Sequence, residues 1–164
     1  MNSVPIKTTI PIQPGDIIYS SKSLSTLLVG HCAIVGQDYH IYHSHPKGAF
    51  SDTLKQFISR HKNKGKITLL RSPHGAEIIA KWAQENICEV QNYLFHPQLG
   101  NKKMNYCSKF IWQAYWHALE EDITGNDLTI KSIKLIRTPY IRHSPYLTEI
   151  GTWRIVDLRK SIIN

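Results

Sequence analysis

The sequence predicts an α+β fold with a mostly antiparallel sheet, because short strand patterns alternate with amphipathic helix patterns. Two short apolar strands at residues 32–36 and 39–44 flank a turn that begins at Gly36, which is typical of a hairpin. The segment 106–120 carries apolar side chains at helical spacing. Hydrophobic residues make up 41% of the 164 residues and charged residues 20%, as in globular proteins. We therefore predict a single domain over residues 1–164.

The first half of the chain contains three further predicted elements. A turn with two prolines precedes a short strand at residues 16–20, and a polar loop or short helix follows to residue 26. Ser51-Asp52-Thr53 is predicted to cap a helix over residues 54–61. A β-branched and leucine-rich strand is expected at residues 67–71.

The second half is predicted to be mainly helical, with a long loop and two late strands. Pro73 marks the start of a helix that runs to about Val90. The remaining elements are a loop at 93–105, the helix at 106–120, a strand within 126–136, an irregular or briefly helical segment at 138–150, and a last strand at 152–157.

The charge balance suggests a polyanionic partner. Lys and Arg number 20 against 12 Asp and Glu, a net charge of +8. Such a surface suits cell-wall polymer, lipid headgroups or nucleic acid, although a merely solvated basic surface is the favoured explanation. No basic block is interleaved with aromatic residues as in an RNA-binding sheet, so a nucleic-acid partner is not expected.

The N-terminal 14 residues contain one Lys and no long apolar core, so they do not resemble a secretory signal. No run approaches the roughly 18–20 apolar residues of a membrane span. The sequence thus predicts a cytoplasmic location by default, and export would need an unconventional route.

Cys107 is the first candidate for chemistry, because it lies in the first turn of the predicted helix at 106–120. The positive end of a helix dipole favours a thiolate. The alternative is an ordinary buried cysteine, since Cys107 also belongs to the apolar stripe. The three cysteines fit neither a disulfide framework nor a CxxC zinc site, so at least one thiol is free.

Two histidines of the predicted hairpin could serve this thiol. His31 follows Gly30 at the head of the strand, where it could act as general base. His43 lies on the partner strand, close enough to bind one ring nitrogen of His31 and fix its tautomer. His45 has the same strand parity and is the alternative. Alternation turns Cys32 away from His31 into the core, and Cys32 and Cys88 are expected to be inert.

A metal site built from His40, His43 and His45 is disfavoured, because the gaps are uneven and His40 faces the other side of the strand. No metal or organic cofactor is therefore expected. Asp16 follows Gly15 at the start of the first strand, and we expect it to accept backbone hydrogen bonds at the turn.

Four segments together resemble a known family: Pro14-Gly15-Asp16-Ile17-Ile18-Tyr19, Gly30-His31-Cys32-Ala33-Ile34-Val35, Tyr106-Cys107-Ser108-Lys109-Phe110-Ile111-Trp112, and Thr138-Pro139-Tyr140 with His143 to Ile150. They are similar to the circularly permuted branch of NlpC-type papain-like cysteine hydrolases, the YiiX/YaeF-like group. The resemblance implies a papain-like antiparallel sheet or barrel with helices packed against it and the nucleophile at a helix N-terminus.

The resemblance further implies that Cys107 is the nucleophile, His31 the general base and His43 the third polar residue. The chain departs from the pattern at two positions. Many permuted members carry a glutamate in place of His43, which leaves the third role between His43 and His45. Members also often have an acidic residue in place of Lys109, a difference that bears on the substrate.

The predicted function is that of a cysteine hydrolase that cleaves an amide in a small peptide or peptidoglycan fragment. The backbone N–H of Cys107 is the expected oxyanion donor. A lipid-directed thioester acyltransferase or esterase is the alternative, because permuted relatives include acyltransferase-like members. A binding module without catalysis is a further alternative, and the net charge of +8 also suits peripheral contact with an anionic surface.

Overall fold

A six-stranded antiparallel sheet forms the centre of the protein. The computed structural model describes residues 10–21, 30–62 and 64–163. The strand order is β4-β3-β2-β1-β5-β8. The strands are β1 Ile17–Ser20, β2 His31–Val35, β3 Ile41–His45, β4 Gly48–Asp52, β5 Lys66–Arg71 and β8 Thr148–Arg154. The sheet is open within the described residues, with β4 and β8 at its edges, so the sheet form of the predicted fold is the one observed.

Helices cover both faces of this sheet. They are α1 Leu54–Ser59, α2 Ala76–Asn86, α3 Cys107–Leu119, α4 Thr138–Arg142 and α5 Ile155–Ile163. Ile17, Cys32 and Ile34 point into a core shared with α2 and α3. Ile18 and Ala33, one residue out of phase, point into a second core shared with α1 and α5. The period of two residues along each strand thus sorts the side chains between two apolar layers.

Two short elements lead into α3. Strands β6 Asn92–Tyr93 and β7 Met104–Asn105 pair in parallel and bracket the loop between them. The side chain of Gln113 donates hydrogen bonds to the carbonyl groups of Leu99 at 2.7 Å and Asn101 at 3.2 Å. This buried amide fixes the loop against α3 because it satisfies backbone groups that the loop cannot pair internally.

The predicted hairpin, α1, the strand at 67–71 and both long helices are present near their predicted bounds. Residues 22–26 of the predicted polar segment lie outside the described residues. Strand β4 was not predicted, and the cap of α1 is Thr53, whose hydroxyl accepts from Gln56 N–H in a capping box. Within residues 10–21, 30–62 and 64–163, none of the helices has the length and apolar character of a membrane span.

Two late predictions are wrong. Residues 126–136 form no strand among the described residues and make one isolated bridge, between Gln98 and Ile133. Instead the backbone N–H groups of Asn126 and Leu128 both donate to the Asp122 carboxylate at 2.9 Å. The last strand lies at 148–154, earlier than predicted, and is followed by α5.

Candidate active site

Cys107 is the first residue of α3, and its side chain is 2% exposed. Tyr106 occupies the N-cap position with extended backbone angles and makes no side-chain cap hydrogen bond. The first turn of α3 therefore directs backbone N–H groups and the positive end of the helix dipole toward the thiol. Both effects favour a thiolate over a neutral thiol at this position.

The side chains that surround Cys107 lower its pKa. The largest cause is a hydrogen bond from the Cys32 thiol; burial opposes it, and a hydrogen bond and the charge of His31 lower the pKa further. The net pKa of Cys107 lies well below its ordinary value. Burial raises the pKa of Tyr93, as does the charge of Cys107 and a hydrogen bond to it, so the phenol stays protonated and can donate to the sulfur.

Cys32 faces the core and is fully buried, as alternation along β2 predicts. Its thiol also forms a hydrogen bond with Cys107, a contact that was not predicted. Burial and the hydrogen bond to Cys107 raise the pKa of Cys32 well above its ordinary value. Cys32 therefore keeps its proton and serves as the donor to Cys107.

Gly30 allows the chain to enter β2 at His31. Its φ is +86°, a left-handed conformation that side chains with a Cβ rarely adopt. A Cβ on this residue would lie 3.2 Å from the carbonyl oxygen of Ser20 and 3.2 Å from the hydroxyl of Tyr19. Strand β1 and the Tyr19 side chain therefore approach this glycine too closely for a larger residue.

His31 and His43 are joined by a hydrogen bond across β2 and β3. The distance from His31 Nε2 to His43 Nδ1 is 2.8 Å, and both side chains are buried. Phe57 of α1 packs on both rings, stacked on His31 at 6.2 Å and edge-on to His43 at 5.1 Å between centroids. Since His31 uses Nε2 for His43, Nδ1 is the nitrogen left for Cys107.

Asp52 at the end of β4 extends this pair. His43 Nε2 lies 2.7 Å from Asp52 Oδ2, and Arg60 donates to both oxygens of that carboxylate at 2.6 and 2.8 Å. The Arg60 guanidinium also lies 3.7 Å from the centroid of the Phe50 ring. We call His31, His43, Asp52 and Arg60 the relay.

The charge state of the relay follows from these contacts. Burial alone would raise the pKa of Asp52, but the hydrogen bonds from Arg60 and His43 outweigh it and hold this pKa well below its usual range. Burial lowers the pKa of His43 to about 3, against a smaller opposite effect of Asp52. At neutral pH the relay therefore contains an ionised carboxylate and a neutral His43.

The carboxylate fixes both histidine tautomers. Asp52 can only accept, so the proton of neutral His43 lies on Nε2 and Nδ1 is an acceptor. His31 must then donate from Nε2. Its Nδ1 therefore presents a lone pair while Cys107 holds the thiol proton, which is the form that a general base requires. Once that proton has moved to Nδ1, His31 is the cation that donates to the thiolate and lowers the Cys107 pKa.

The other histidines of the hairpin have different neighbours. His45 Nδ1 accepts from the backbone N–H of Lys47 at 3.1 Å, and its ring centroid lies 5.6 Å from that of His31. His40 is half exposed and faces Asp38 at 3.2 Å. Of the two candidates for the third position, His43 is thus the one that is hydrogen bonded to His31.

Lys109 is buried and serves the loop that precedes α3. Its Nζ donates to the carbonyl groups of Met104 at 3.0 Å and His96 at 3.2 Å. Burial lowers its pKa to about 8. Lys109, which stands where related proteins often have an acidic residue, therefore holds the 93–105 loop against α3.

The histidines do not fit a metal centre. Both ring nitrogens of His43 are occupied, by His31 and by Asp52. Over residues 10–21, 30–62 and 64–163, no group of three or more His, Cys, Asp or Glu side chains could hold a metal ion.

Sequence reasoning did not assign Asp52, Arg60, Cys32 or Tyr93 to the site. Asp52 was assigned to a helix cap, whereas it ends β4 and faces Ile41 in the register of β3. A strand at residues 48–52 beside His43 would have revealed Asp52. The sequence gives little sign of that strand, because Gly48, Ala49 and Ser51 are weak strand formers. No local pattern links Tyr93 or Arg60 to Cys107.

Two known proteins are similar to the chain. The crystal structure of the metalloprotein YiiX of Escherichia coli O157:H7 superposes with a TM-score of 0.61 at 16% identity, over 86% of this chain and 97% of that one. An uncharacterised 30.3 kDa protein of Bacillus thuringiensis is 24% identical over 143 residues, which is 79% of this chain and 51% of that protein. The chain thus spans about half the length of this curated relative. The likeness to YiiX confirms the predicted fold group.

The family model that matches the chain carries the description "Lipoprotein N-acylation protein LnsA-like". It aligns with residues 3–145, which include Cys107 and every residue of the relay.

Proposed function

The chain belongs to the LnsA-like family of lipoprotein N-acylation proteins, and on this premise we propose that it is a cysteine acyltransferase that takes its acyl group from a lipid ester. The observation that carries the proposal is the hydrogen-bonded line from Cys107 through His31 and His43 to Asp52. A nucleophile, a base and an orienting group in this order are what acyl transfer requires. Fold and family together support an enzyme of the cysteine hydrolase or acyltransferase type.

In the first step the Cys107 sulfur attacks the ester carbonyl carbon of the lipid. His31 Nδ1 holds the proton that leaves the thiol and delivers it to the departing alcohol oxygen. The C–O ester bond breaks, a C–S bond forms, and the products are the acyl-thioester of Cys107 and a free alcohol. The backbone N–H of Cys107 is the proposed donor to the oxyanion, because it lies at the N-terminus of α3.

In the second step an amine attacks the thioester carbonyl. His31 takes a proton from the attacking nitrogen, the C–N bond forms, and the thiol of Cys107 is released with a proton. The product is an N-acyl amide. The family description supports an amine as the acceptor; if water attacks instead, the same machinery acts as an esterase.

Cleavage of an amide in a peptide or peptidoglycan fragment, the first function predicted from sequence, stays a prediction. It would use the same thiol and base, since both reactions begin with attack of Cys107 on a carbonyl. The family match favours the lipid substrate over the peptide.

The test is the mass of the intact protein after incubation with vesicles of a phospholipid with defined acyl chains. We expect an added mass of one acyl group, removed by hydroxylamine as a thioester is. The Cys107→Ala protein should show none, and the Cys88→Ala protein, which changes an exposed thiol, should behave as wild type. Full turnover by Cys107→Ala, or peptide cleavage without any lipid adduct, would contradict the proposal.

A further inference from the structure

Two segments near the N-terminal end of α3, residues 94–104 and 133–135, expose large apolar side chains. The part of the chain that the structure describes has nine exposed large hydrophobic residues, and five of them lie in these segments. We call these five the apolar patch: Leu94, Phe95, Met104, Ile133 and Leu135. Ile133 is the most exposed of the nine, at 73%. Single exposed apolar residues are common on protein surfaces, but a group of neighbouring ones usually marks an interaction surface.

The two segments are hydrogen bonded to each other. Gln98 and Ile133 form an antiparallel bridge, and the backbone N–H of Lys134 donates to the Pro97 carbonyl at 2.8 Å. The N–H of Leu99 donates to the Ser132 carbonyl at 3.2 Å. The loops therefore form one continuous surface rather than two separate tips.

This surface lies beside the thiol. The Phe95 ring packs on the ring of Tyr106 at 5.2 Å between centroids, and Tyr106 is the residue before Cys107. On its other side the Tyr106 hydroxyl accepts from the backbone N–H of Ile136 at 2.8 Å, next to Leu135. One tyrosine thus links both halves of the patch to the start of α3.

The same segments hold a strong local excess of positive charge. Residues 91–119 and 128–148 contain seven Lys and Arg and no Asp or Glu, while the chain as a whole has 12 acidic residues. Four of the seven cations are exposed: Lys103, Lys131, Lys134 and Arg137. Lys103 is next to Met104, and the other three flank Ile133 and Leu135, so exposed positive charge adjoins the patch on both segments.

We propose that this surface docks the protein on an anionic phospholipid bilayer, with the apolar patch at the acyl boundary and the four cations at the headgroups. Apolar side chains ringed by Lys and Arg are the composition that binds such an interface. The proposal rests on the proposed function, because docking would bring Cys107 to the ester bonds of the lipid. A partner protein is disfavoured as the occupant, because exposed cations on both segments of the patch, with no carboxylate in either segment, suit a continuous anionic surface.

The test is flotation of the full-length protein with vesicles, either neutral phosphatidylcholine or phosphatidylcholine mixed with phosphatidylglycerol. We expect flotation with the anionic vesicles only, and a loss of binding as salt is raised. The Phe95→Ser/Ile133→Ser and Lys131→Gln/Lys134→Gln proteins should each bind at least about tenfold more weakly. Thermal unfolding of each variant verifies that it is folded.

Matched control variants change the same residue types elsewhere. Ile78→Ser removes an exposed apolar residue from the first turn of α2, and Gly75 just before that turn packs against Leu119 at the far end of α3. Lys55→Gln/Lys160→Gln removes two exposed cations from α1 and α5, across the sheet from α3. Both controls should float as wild type does.

The outcomes separate docking from catalysis. Cys107→Ala should float fully, since docking needs no thiol. Equal binding to neutral and anionic vesicles, or patch variants that float like the controls, would overturn the docking proposal even if the acyl adduct forms. Patch variants that float normally but no longer acylate a lipoprotein acceptor would assign the surface to a protein partner instead.

Discussion

On one side of Cys107 four side chains are joined end to end by hydrogen bonds, and on the other a loop surface exposes apolar residues to solvent. In the relay each polar contact is 2.8 Å or shorter, and the two histidines and Asp52 are buried. The loop side has Phe95 and Ile133 more than half exposed. The difference indicates that the general base is fully formed without substrate. The apolar surface, in contrast, is left exposed for contact with a membrane or a partner.

The sharpest test of the relay is Asp52→Asn. An amide can present an N–H to His43 Nε2, which would move the His43 proton to Nδ1 and reverse the His31 tautomer. We expect the rate of acyl transfer to fall by roughly 100- to 10,000-fold, the range for lost general-base action. Steady-state rates on a soluble ester probe, away from vesicles, measure this.

Asp38→Asn is the control on the same hairpin, because Asp38 binds Tyr42 at 2.7 Å outside the relay. It should keep nearly full activity. Loss confined to binding of the probe, with an unchanged maximal rate for Asp52→Asn, would refute the tautomer argument.

Alkylation by iodoacetamide tests whether Cys107, between the relay and the apolar patch, is a thiolate. Since the Cys107 pKa is lowered, its reaction should persist as pH falls below about 7, whereas ordinary thiols lose their thiolate form there. The ratio of Cys107 labelling to that of a small thiol added as reference, both read by mass, should rise as the pH falls, by about tenfold per pH unit at most.

Cys32→Ala removes the largest cause of the lowered pKa and should reduce that ratio, while Cys32→Ser keeps a donor and should restore most of it. If Cys32→Ala labels as wild type across the pH range, Cys32 is a packing residue only.

The buried histidines should make stability depend on pH. Burial lowers the pKa of His43 to about 3 and that of His61 to about 4 in the folded protein, from an ordinary value of 6.5. As pH falls below 6.5 the unfolded chain takes up protons that the folded chain refuses. The free energy of unfolding should thus decrease from about pH 6.5 to about pH 4, by up to about 1.4 kcal/mol per pH unit for each histidine.

Urea unfolding at several pH values measures this slope. His61→Gln should reduce the slope by the share of one histidine, whatever it does to absolute stability. His43 still contributes, as does the partly buried His45, whose pKa burial lowers to about 4. A flat profile over this range would show that the two rings are protonated in the folded state.

The smallest effect is expected on the loop side, from Tyr93→Phe. The phenol is one of three side-chain donors to Cys107, so its loss should lower the rate by only about five- to tenfold, the worth of one hydrogen bond. The same rate assay measures it, with Tyr146→Phe, an exposed tyrosine, as control. A loss as large as that of Asp52→Asn would mean that the loop side shares in catalysis.

Local patterns were enough to predict the main elements and to bring together three residues of the candidate site. The apolar period of α3 placed Cys107 at a helix start, and the hairpin pattern placed His43 beside His31. Pairing decided the rest. Strand β4 exists because β3 offers it a partner, and without β4 the position of Asp52 could not be foreseen. Segment 126–136 has the composition of a strand, but two of its backbone N–H groups donate to the Asp122 carboxylate instead of to a neighbouring strand.

The relay also has a consequence for the order in which the protein folds. Its hydrogen bonds join residues only 12, 9 and 8 positions apart, and they lie on consecutive strands and the helix that follows. Short loops close at low entropic cost, so this region can nucleate early. Cys107 leaves the ribosome well after Arg60. Synthesis can therefore complete the proton acceptor before the sulfur that needs it.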